Sequence, residues 1–198
     1  MPTSSLSPRE RIERAAYELF SKHGVRAVGV DTLVARARVA KMTLYKLYGS
    51  KDELALAFLR RREEVWTRSW LQAEVERRGQ SPRQKLLSIF DAFDDWFNRT
   101  DYEACAFLRT LLEHEDPRHP VRRASARHIE TIREFLEELA RGAGVRDPAT
   151  FARQWQILMM GSVSAAYAGD RAAARRAKAV GQLLLDAERG VPKQERRA

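Results

Sequence analysis

The sequence predicts an all-α protein with about nine helices, and three observations indicate this fold class. Serine and aspartate residues that suit helix starts recur along the 198-residue chain. Between them, apolar residues follow one another at intervals of three and four, which places them on one face of a helix. Convincing alternation of apolar and polar residues, the pattern of a half-buried strand, is missing. We therefore expect helices packed through their apolar faces.

Three serines mark helix starts most clearly. Ser7, Ser50 and Ser81 each stand three residues before a Glu or Gln, so the paired side chains can cap free backbone amides of a first turn. Proline follows Ser7 and Ser81 and is favoured at the first helical position, where no amide hydrogen is needed. Asp147 and Asp170 are two further predicted starts. Glycines mark the predicted ends, at Gly24, Gly142, Gly144, Gly169 and Gly190.

Apolar spacing places the helices between these signals. The helical periodicity is clearest within residues 12–20, 86–97, 129–139, 151–159 and 180–184. A long helix is expected from Ser50 to about Arg77. Residues 30–48 favour two short helices separated by a tight turn near Arg38 and Val39.

Positive charge is concentrated at the two ends of the chain. The formal net charge is +9, and residues 1–51 hold ten Lys and Arg against four Asp and Glu. Residues 171–198 hold eight against three. Such ends suit a polyanion, because each cation that neutralises a phosphate also releases condensed counterions. The alternative interpretation is a set of ordinary solvated helix faces.

Composition also bears on compartment and class. The single Cys105 cannot form an internal disulfide, and the longest uncharged stretch, Gln154 to Gly169, is shorter than the about 20 residues of a membrane span. We expect a cytoplasmic protein with no membrane segment and no cofactor. No catalytic triad, phosphate-binding loop or dinucleotide fingerprint is present, so the sequence does not predict an enzyme.

The second short helix, from Lys41 to Tyr48, carries the side chains with the clearest chemistry. Leu44 and either Leu47 or Tyr48 are expected to face inward. The outward set offers two cations, two hydroxyls and a thioether, which can reach phosphates, base edges and thymine methyls in a DNA groove. Its members are Lys41, Met42, Thr43, Tyr45 and Lys46. For Tyr48 a core role is the preferred interpretation, and for Tyr45 a phosphate contact.

Residues 39–54, VAKMTLYKLYGSKDEL, resemble the recognition helix and following helix start of the tetracycline-repressor (TetR) family. The resemblance is strong over roughly residues 8–68 and continues only in helix number and spacing. It implies a homodimeric, all-helical regulator. It makes Lys41 and Met42 base readers, and Thr43, Tyr45 and Lys51 phosphate anchors. Lys46 would face either a base or the backbone.

Three residues depart from the family pattern around the turn. Arg38 stands where glycine is usual, so either a residue with a Cβ adopts a backbone that glycine accepts more readily or the turn has a different geometry. Ala40 and Gly29 stand where a hydroxyl residue often caps the following helix. The effect of Arg38 and Ala40 on DNA affinity is left open by the sequence.

The resemblance divides the chain into two domains. A helix-turn-helix DNA-binding domain is expected over residues 8–54, with its motif at about 30–48 and a linking helix from about 51 to 77. A larger effector-binding and dimerisation domain would cover residues 55–190, and residues 191–198 would be a frayed tail. The homodimer would form through helices at about 148–167 and 170–187, whose small residues allow close approach.

The larger domain would also hold a pocket for an apolar or aromatic small molecule. Aromatic and Met side chains suit such a lining, although the same side chains serve equally as core. The candidate lining residues are Phe90, Phe97, Phe107, His128, Trp155 and Met159. The metal-ligand types in Glu113–Asp116 and His119 are interpreted as a polar connection, and Cys105 as a small buried residue.

These features predict a ligand-responsive, DNA-binding transcriptional regulator. Its partners would be a double-stranded DNA operator, a small-molecule effector and a second copy of the chain. The favoured form is a repressor that a small molecule releases from a pseudo-palindromic operator. The alternative is a ligand-binding or protein-interaction module whose helix-turn-helix no longer binds DNA.

Overall fold

The computed structural model describes residues 6–189, and these residues form nine helices and no strand. The predicted all-α class is confirmed. Eight helices are regular: α1 (Pro8–His23), α2 (Val30–Ala37), α3 (Lys41–Tyr48), α5 (Pro82–Phe97), α6 (Ala106–Glu113), α7 (Pro120–Gly142), α8 (Pro148–Tyr167) and α9 (Ala173–Arg189). Between α3 and α5, helix α4 has an α-helical segment Lys51–Arg62, a π-helical segment Glu63–Gln72 and an α-helical segment Ala73–Arg78. Gly190 and the predicted tail, residues 191–198, lie outside the described residues.

The three serines predicted as caps stand at the starts of helices. Reciprocal capping boxes join Ser7 to Glu10 and Ser81 to Gln84. Ser50 accepts a hydrogen bond from the Glu53 amide at 3.1 Å. These bonds satisfy amides that have no partner within the helix, which explains why the chain enters α1, α4 and α5 at these points.

Helix α9 begins three residues later than the aspartate that was predicted to start it. Asp170 instead accepts a hydrogen bond from the Ala172 amide at 3.0 Å, within a turn that precedes the helix. An aspartate that bonds an amide two residues on stabilises a local turn, so this residue type signals a turn as readily as a helix cap.

The described chain folds as two compact units. Unit 1 comprises residues 6–68 and 105–129, and unit 2 comprises residues 69–104 and 130–189. The predicted division at residue 54 differs from this one, because unit 1 also contains α6 and the first part of α7. Unit 1 is built from two segments that are separated along the chain, so a single boundary in the sequence cannot describe it.

The core of unit 1 joins α1–α4 to α6 and α7. Phe20 and Phe58 meet edge to face with ring centroids 5.5 Å apart, and Leu33 and Leu44 are fully buried beside them. Phe107 belongs to the same cluster. Truncating a buried Leu of this kind to Ala typically removes about 2–5 kcal/mol of stability, so this core holds the two short helices in place.

The core of unit 2 is aromatic and lies between α5, α8 and α9. The rings of Phe90 and Phe151 each lie 5.3 Å from the Trp155 ring, which has no exposed surface. Gly181 of α9 leaves room for this indole, because a Cβ at that position would lie 2.7 Å from Trp155 Cη2. Among the helices described, none has the length and apolar character needed to cross a membrane.

Candidate nucleic-acid interface

Helices α2 and α3 form a helix-turn-helix anchored by three buried side chains. Leu33 and Ala37 of α2 and Leu44 of α3 are at most 3% exposed. They bury the inner faces of two eight-residue helices that would be marginal in isolation. The outer face of α3 is thereby held on the surface of unit 1.

The predicted outward residues of α3 occupy this face. Met42 is 76% exposed and Tyr45 is 40% exposed, and Lys41 and Lys46 are also exposed. Thr43 is half-buried. Side chains that can read base edges and bind phosphates therefore lie together on one helix.

Lys41 has an acidic partner on α2 that the sequence did not reveal. Its Nζ lies 2.9 Å from Asp31 Oδ1, and this hydrogen bond, with the attraction of the carboxylate, raises the pKa of Lys41. Both side chains are more than half exposed, so the pair contributes little to stability. The ten-residue separation of Lys41 and Asp31 crosses a turn and matches no helical spacing rule. A lysine held only by such an exposed carboxylate can leave it for another anion at little energetic cost.

Tyr48 fastens the end of α3 to α1. Its hydroxyl donates a hydrogen bond to Glu13 Oε1 at 2.7 Å. Burial, followed by the interaction with Glu13, raises the pKa of Tyr48 to about 12, so the phenol stays protonated at neutral pH. The half-buried ring also packs against the unit 1 core. This placement agrees with the preferred core role of Tyr48.

Lys51, the predicted phosphate anchor at the start of α4, is directed at the loop after α1. Its Nζ donates a hydrogen bond to the Arg26 carbonyl oxygen at 3.4 Å. Burial lowers the pKa of Lys51. The side chain is half-buried and lies in the first turn of a helix, where free amides also attract anions.

The tight turn between α2 and α3 forms although Arg38 stands where the family usually has glycine. Arg38 adopts the left-handed conformation, with φ 54° and ψ 53°. The following amide, of Val39, donates to the Val34 carbonyl at 3.1 Å and closes the turn. Neither Gly29 nor Ala40 supplies a side-chain cap. The turn therefore forms with a non-glycine residue in a conformation that favours glycine.

Replacing Arg38 with Gly is expected to stabilise the protein by roughly 0.5–1 kcal/mol. Relief of a left-handed conformation that costs a residue with a Cβ about 1–2 kcal/mol outweighs the greater entropy of glycine in the unfolded chain. Chemical denaturation measures the change. Arg38→Ala, which removes the same charge but keeps the Cβ, serves as the control and should show no gain. Equal stability of the Gly and Ala variants would contradict the proposed backbone strain at residue 38.

The acidic and histidine residues at the end of α6 and just after it contact other groups of the protein. The rings of His114 and His119 lie 4.4 Å apart, and His119 Nε2 is 3.3 Å from Asp52 Oδ2. Glu113 binds backbone amides of the α1–α2 loop. Within residues 6–189, no group of three or more metal-ligating side chains is arranged to hold an ion.

The six candidate pocket residues are all buried, but they belong to different units. Phe107 and His128 are in unit 1, where their rings stack with centroids 3.4 Å apart and His128 Nε2 lies 3.2 Å from Thr67 Oγ1. Burial lowers the pKa of His128. The other four lie in unit 2: Phe90, Phe97, Trp155 and Met159. Residue type alone could not separate the two sets.

An all-α chain with an exposed basic helix in a helix-turn-helix defines a class, the helix-turn-helix DNA-binding proteins. Comparison with known proteins makes the class specific. Residues 12–58 match the family model "Bacterial regulatory proteins, tetR family". A putative TetR transcriptional regulator of Streptomyces avermitilis, Sav143, is 31% identical, with 93% of this chain and 99% of that chain covered and a TM-score of 0.82. The chain belongs to the TetR family and is a DNA-binding transcriptional regulator.

Two further relatives extend the likeness beyond the matched N-terminal region. The TetR-family regulator SCO4454 of Streptomyces coelicolor is 25% identical, covering 91% of this chain and 89% of that one, with a TM-score of 0.84. The HTH-type transcriptional regulator YjdC of Escherichia coli K12 is 24% identical over 159 residues, which are 79% of this chain and 81% of the relative. The similarity therefore includes helices of both units.

Proposed function

We propose that the protein is a homodimeric repressor that places α3 of each copy in the major groove of a pseudo-palindromic operator. The exposed face of α3, held by the buried Leu44, is the observation that supports this proposal. Two recognition helices related by a twofold axis read half-sites one helical turn apart, about 34–36 Å. The operator would therefore share the symmetry of the dimer.

Each exposed side chain of α3 has a role in this proposal. Lys41 leaves Asp31 to donate to a guanine edge, and Met42 packs against a thymine methyl. Tyr45 and Thr43 donate hydroxyl hydrogen bonds to phosphates, and Lys46 faces a base or the backbone. Lys51, at the start of α4, supplies a further phosphate contact. Residue chemistry supports all of these assignments, and exposure supports those of Lys41, Met42, Tyr45 and Lys46.

A homodimer interface on α8 and α9 is supported by the apolar side chains that these helices leave exposed. Ile157 and Leu183 are each 69% exposed, and Val180 is 45% exposed. On α8, Ile157 is followed at helical spacing by the exposed Gly161 and Ser164. A second copy of the same two helices would cover this surface as a four-helix contact in which the small residues permit close approach.

We propose that an apolar or aromatic effector binds unit 2 beside Trp155. The indole Nε1 is fully buried and has no hydrogen-bond partner among the described residues. Such a group is destabilising unless something accepts its hydrogen, and an effector oxygen or nitrogen can do so. Phe90, Phe97 and Met159 would supply apolar contacts. The effector releases DNA if it binds better to a dimer arrangement that does not fit the operator.

Replacing Trp155 with Phe is expected to weaken the response to effectors by about threefold to tenfold, since one hydrogen bond of about 0.5–1.5 kcal/mol is lost while an aromatic ring remains. A library of aromatic and apolar compounds is screened for release of bound DNA, and active compounds are titrated. Trp96→Phe, the same change elsewhere in unit 2, serves as the control. A wild-type response of the Trp155 variant to every active compound would contradict the site.

Selection from a random duplex library with the full-length chain tests the proposed mode of DNA binding. Enrichment of duplexes with two inverted half-sites is expected. No enrichment would favour the alternative, a protein whose helix-turn-helix no longer binds specific DNA, and enrichment of single half-sites would contradict the dimer. A reporter driven by a promoter containing the selected duplex tests repression, because deletion of the protein should raise transcription.

A further inference from the structure

We propose that Glu113 is a positioning residue for specific DNA binding, because its carboxylate holds the loop that leads into the helix-turn-helix. Glu113 is the last residue of α6, which lies far along the chain from α1 and α2. The proposal rests on the proposed reading role of α3. It assigns to a residue outside the motif the task of setting the orientation of α2 and α3.

The Glu113 carboxylate binds two successive amides of the α1–α2 loop. Its Oε2 accepts hydrogen bonds from the Val25 amide at 2.9 Å and from the Arg26 amide at 3.0 Å. The Arg26 side chain returns a bond, from Nη1 to the Glu113 carbonyl oxygen at 3.2 Å. Hydrogen bonds to an ionised acceptor are stronger than neutral ones, so a single side chain restrains the loop.

A second residue of α6 binds the end of α1 just before this loop. Arg109, one turn before Glu113, donates from Nη1 to the carbonyl oxygens of Ser21 at 3.1 Å and Lys22 at 2.9 Å. These carbonyls belong to the last turn of α1, where helical partners are missing. Residues four apart lie on the same helix face. One face of α6 therefore binds the carbonyl end of α1 and the amides that follow it.

Gly24 permits the close approach of the carboxylate. A Cβ built on Gly24 would lie 1.7 Å from Glu113 Oε1, and the residue has a φ of 85° that favours glycine. The loop conformation and the position of the carboxylate thus depend on one another. Lys51 adds a third restraint through its bond to the Arg26 carbonyl.

The restrained loop leads directly into the reading elements. It ends at Gly29, the residue before α2, and Gly29 provides no side-chain cap of its own. Asp31 in the first turn of α2 contacts Lys41 of α3. A shift of the loop would therefore carry α2, and with it the position of Lys41, away from the geometry that fits base edges. Phosphate attraction, which needs only charge, would be less affected.

The test compares binding of the full-length Glu113→Ala variant to the selected operator and to a random-sequence duplex. We expect amide exchange of Val25 and Arg26 to accelerate. Operator affinity should fall by about tenfold, a change within the range of energetic coupling through a network of contacts. Affinity for the random duplex should change less than about twofold. The ratio of the two affinities is decisive, because partial unfolding would lower both in proportion.

Two further variants make the comparison specific. Glu115→Ala removes the same charge two residues away at an exposed position and should leave both affinities unchanged. Glu113→Gln keeps an oxygen acceptor of the same reach and should lower the ratio only about threefold, because neutral hydrogen bonds are roughly half as strong. If Glu113→Ala does not fold, the Gln variant decides in its place.

Faster amide exchange with an unchanged affinity ratio would overturn the proposal, since Glu113 would then only stabilise the loop. An equal loss of ratio in the Glu115 variant would overturn it as well. Lys41→Ala distinguishes failure of the positioning role of Glu113 from failure of the proposed DNA-reading role of α3. If Lys41→Ala lowers the ratio and Glu113→Ala does not, only the positioning role is rejected. If both Lys41→Ala and Tyr45→Phe have no effect, the reading role of α3 itself is rejected.

Discussion

Lys41→Ala is expected to bind the selected operator about tenfold to a hundredfold more weakly, because one good contact between a side chain and a base edge is worth about 1–3 kcal/mol. Lys41 is exposed at the start of α3, and its partner Asp31 is a solvent-exposed carboxylate that it can leave. The base preference at one position of each half-site should also relax. Fluorescence anisotropy with the operator and with single-base variants measures both effects.

A phosphate contact would behave differently from a base contact in the same assay. Loss of a phosphate anchor weakens binding to all sequences and reduces the salt dependence by about one counterion. Tyr45→Phe is expected to weaken binding to all sequences but to leave the salt dependence unchanged, because this substitution removes no charge. Lys22→Ala removes an exposed cation outside the motif and serves as the control. Unchanged affinity, specificity and salt slope in both the Lys41 and Tyr45 variants would contradict the reading face.

Leu183→Glu is expected to convert the proposed homodimer to a monomer and to lower operator affinity by about a hundredfold or more, because binding at one half-site then no longer helps a linked copy to bind the other. Leu183 is 69% exposed on α9, one of the exposed apolar side chains of the proposed interface. In the dimer, two glutamates would lose water without an opposite charge. Sedimentation velocity measures the mass, and anisotropy with a full operator and a half-site measures the affinities.

The control for this variant adds the same charge at another exposed apolar position. Val65 lies in unit 1 and is 47% exposed. Val65→Glu should keep both the dimer and the affinity. Affinity for an isolated half-site should be the same in the wild type and the Leu183 variant, because α3 is untouched. A Leu183 variant that stays dimeric would place the interface elsewhere.

Much of the fold was predictable because its signals are local. Ser7 and Ser81 cap the helices that they were expected to begin, and both capping boxes are complete. A cap involves residues only three positions apart, so the sequence contains the whole interaction. The start of α9 was missed because Asp170 stabilises a turn instead. The π-helical segment Glu63–Gln72 was also unpredicted, since a register of backbone hydrogen bonds leaves no clear trace in apolar spacing.

In the candidate site, too, the features that could be predicted are those that depend on local sequence. The outward position of Tyr45 follows from periodicity, because its neighbour Leu44 faces inward. At Arg38 the sequence left open whether a strained backbone or a different turn would form, and the residue adopts the left-handed conformation. Pocket candidates chosen by residue type were distributed over two units, because aromatic side chains serve cores and pockets alike.

The sequence by itself determined the all-α class, the helix-turn-helix and the side chains that α3 leaves exposed, since each depends on contacts within a few turns of one segment. Only the tertiary structure decided which distant residues act on that segment. The bond of Glu113 to the amides of Val25 and Arg26 joins residues 88 and 87 positions apart. A carboxylate satisfies any amides that folding brings to it, and no local pattern specifies which ones these are.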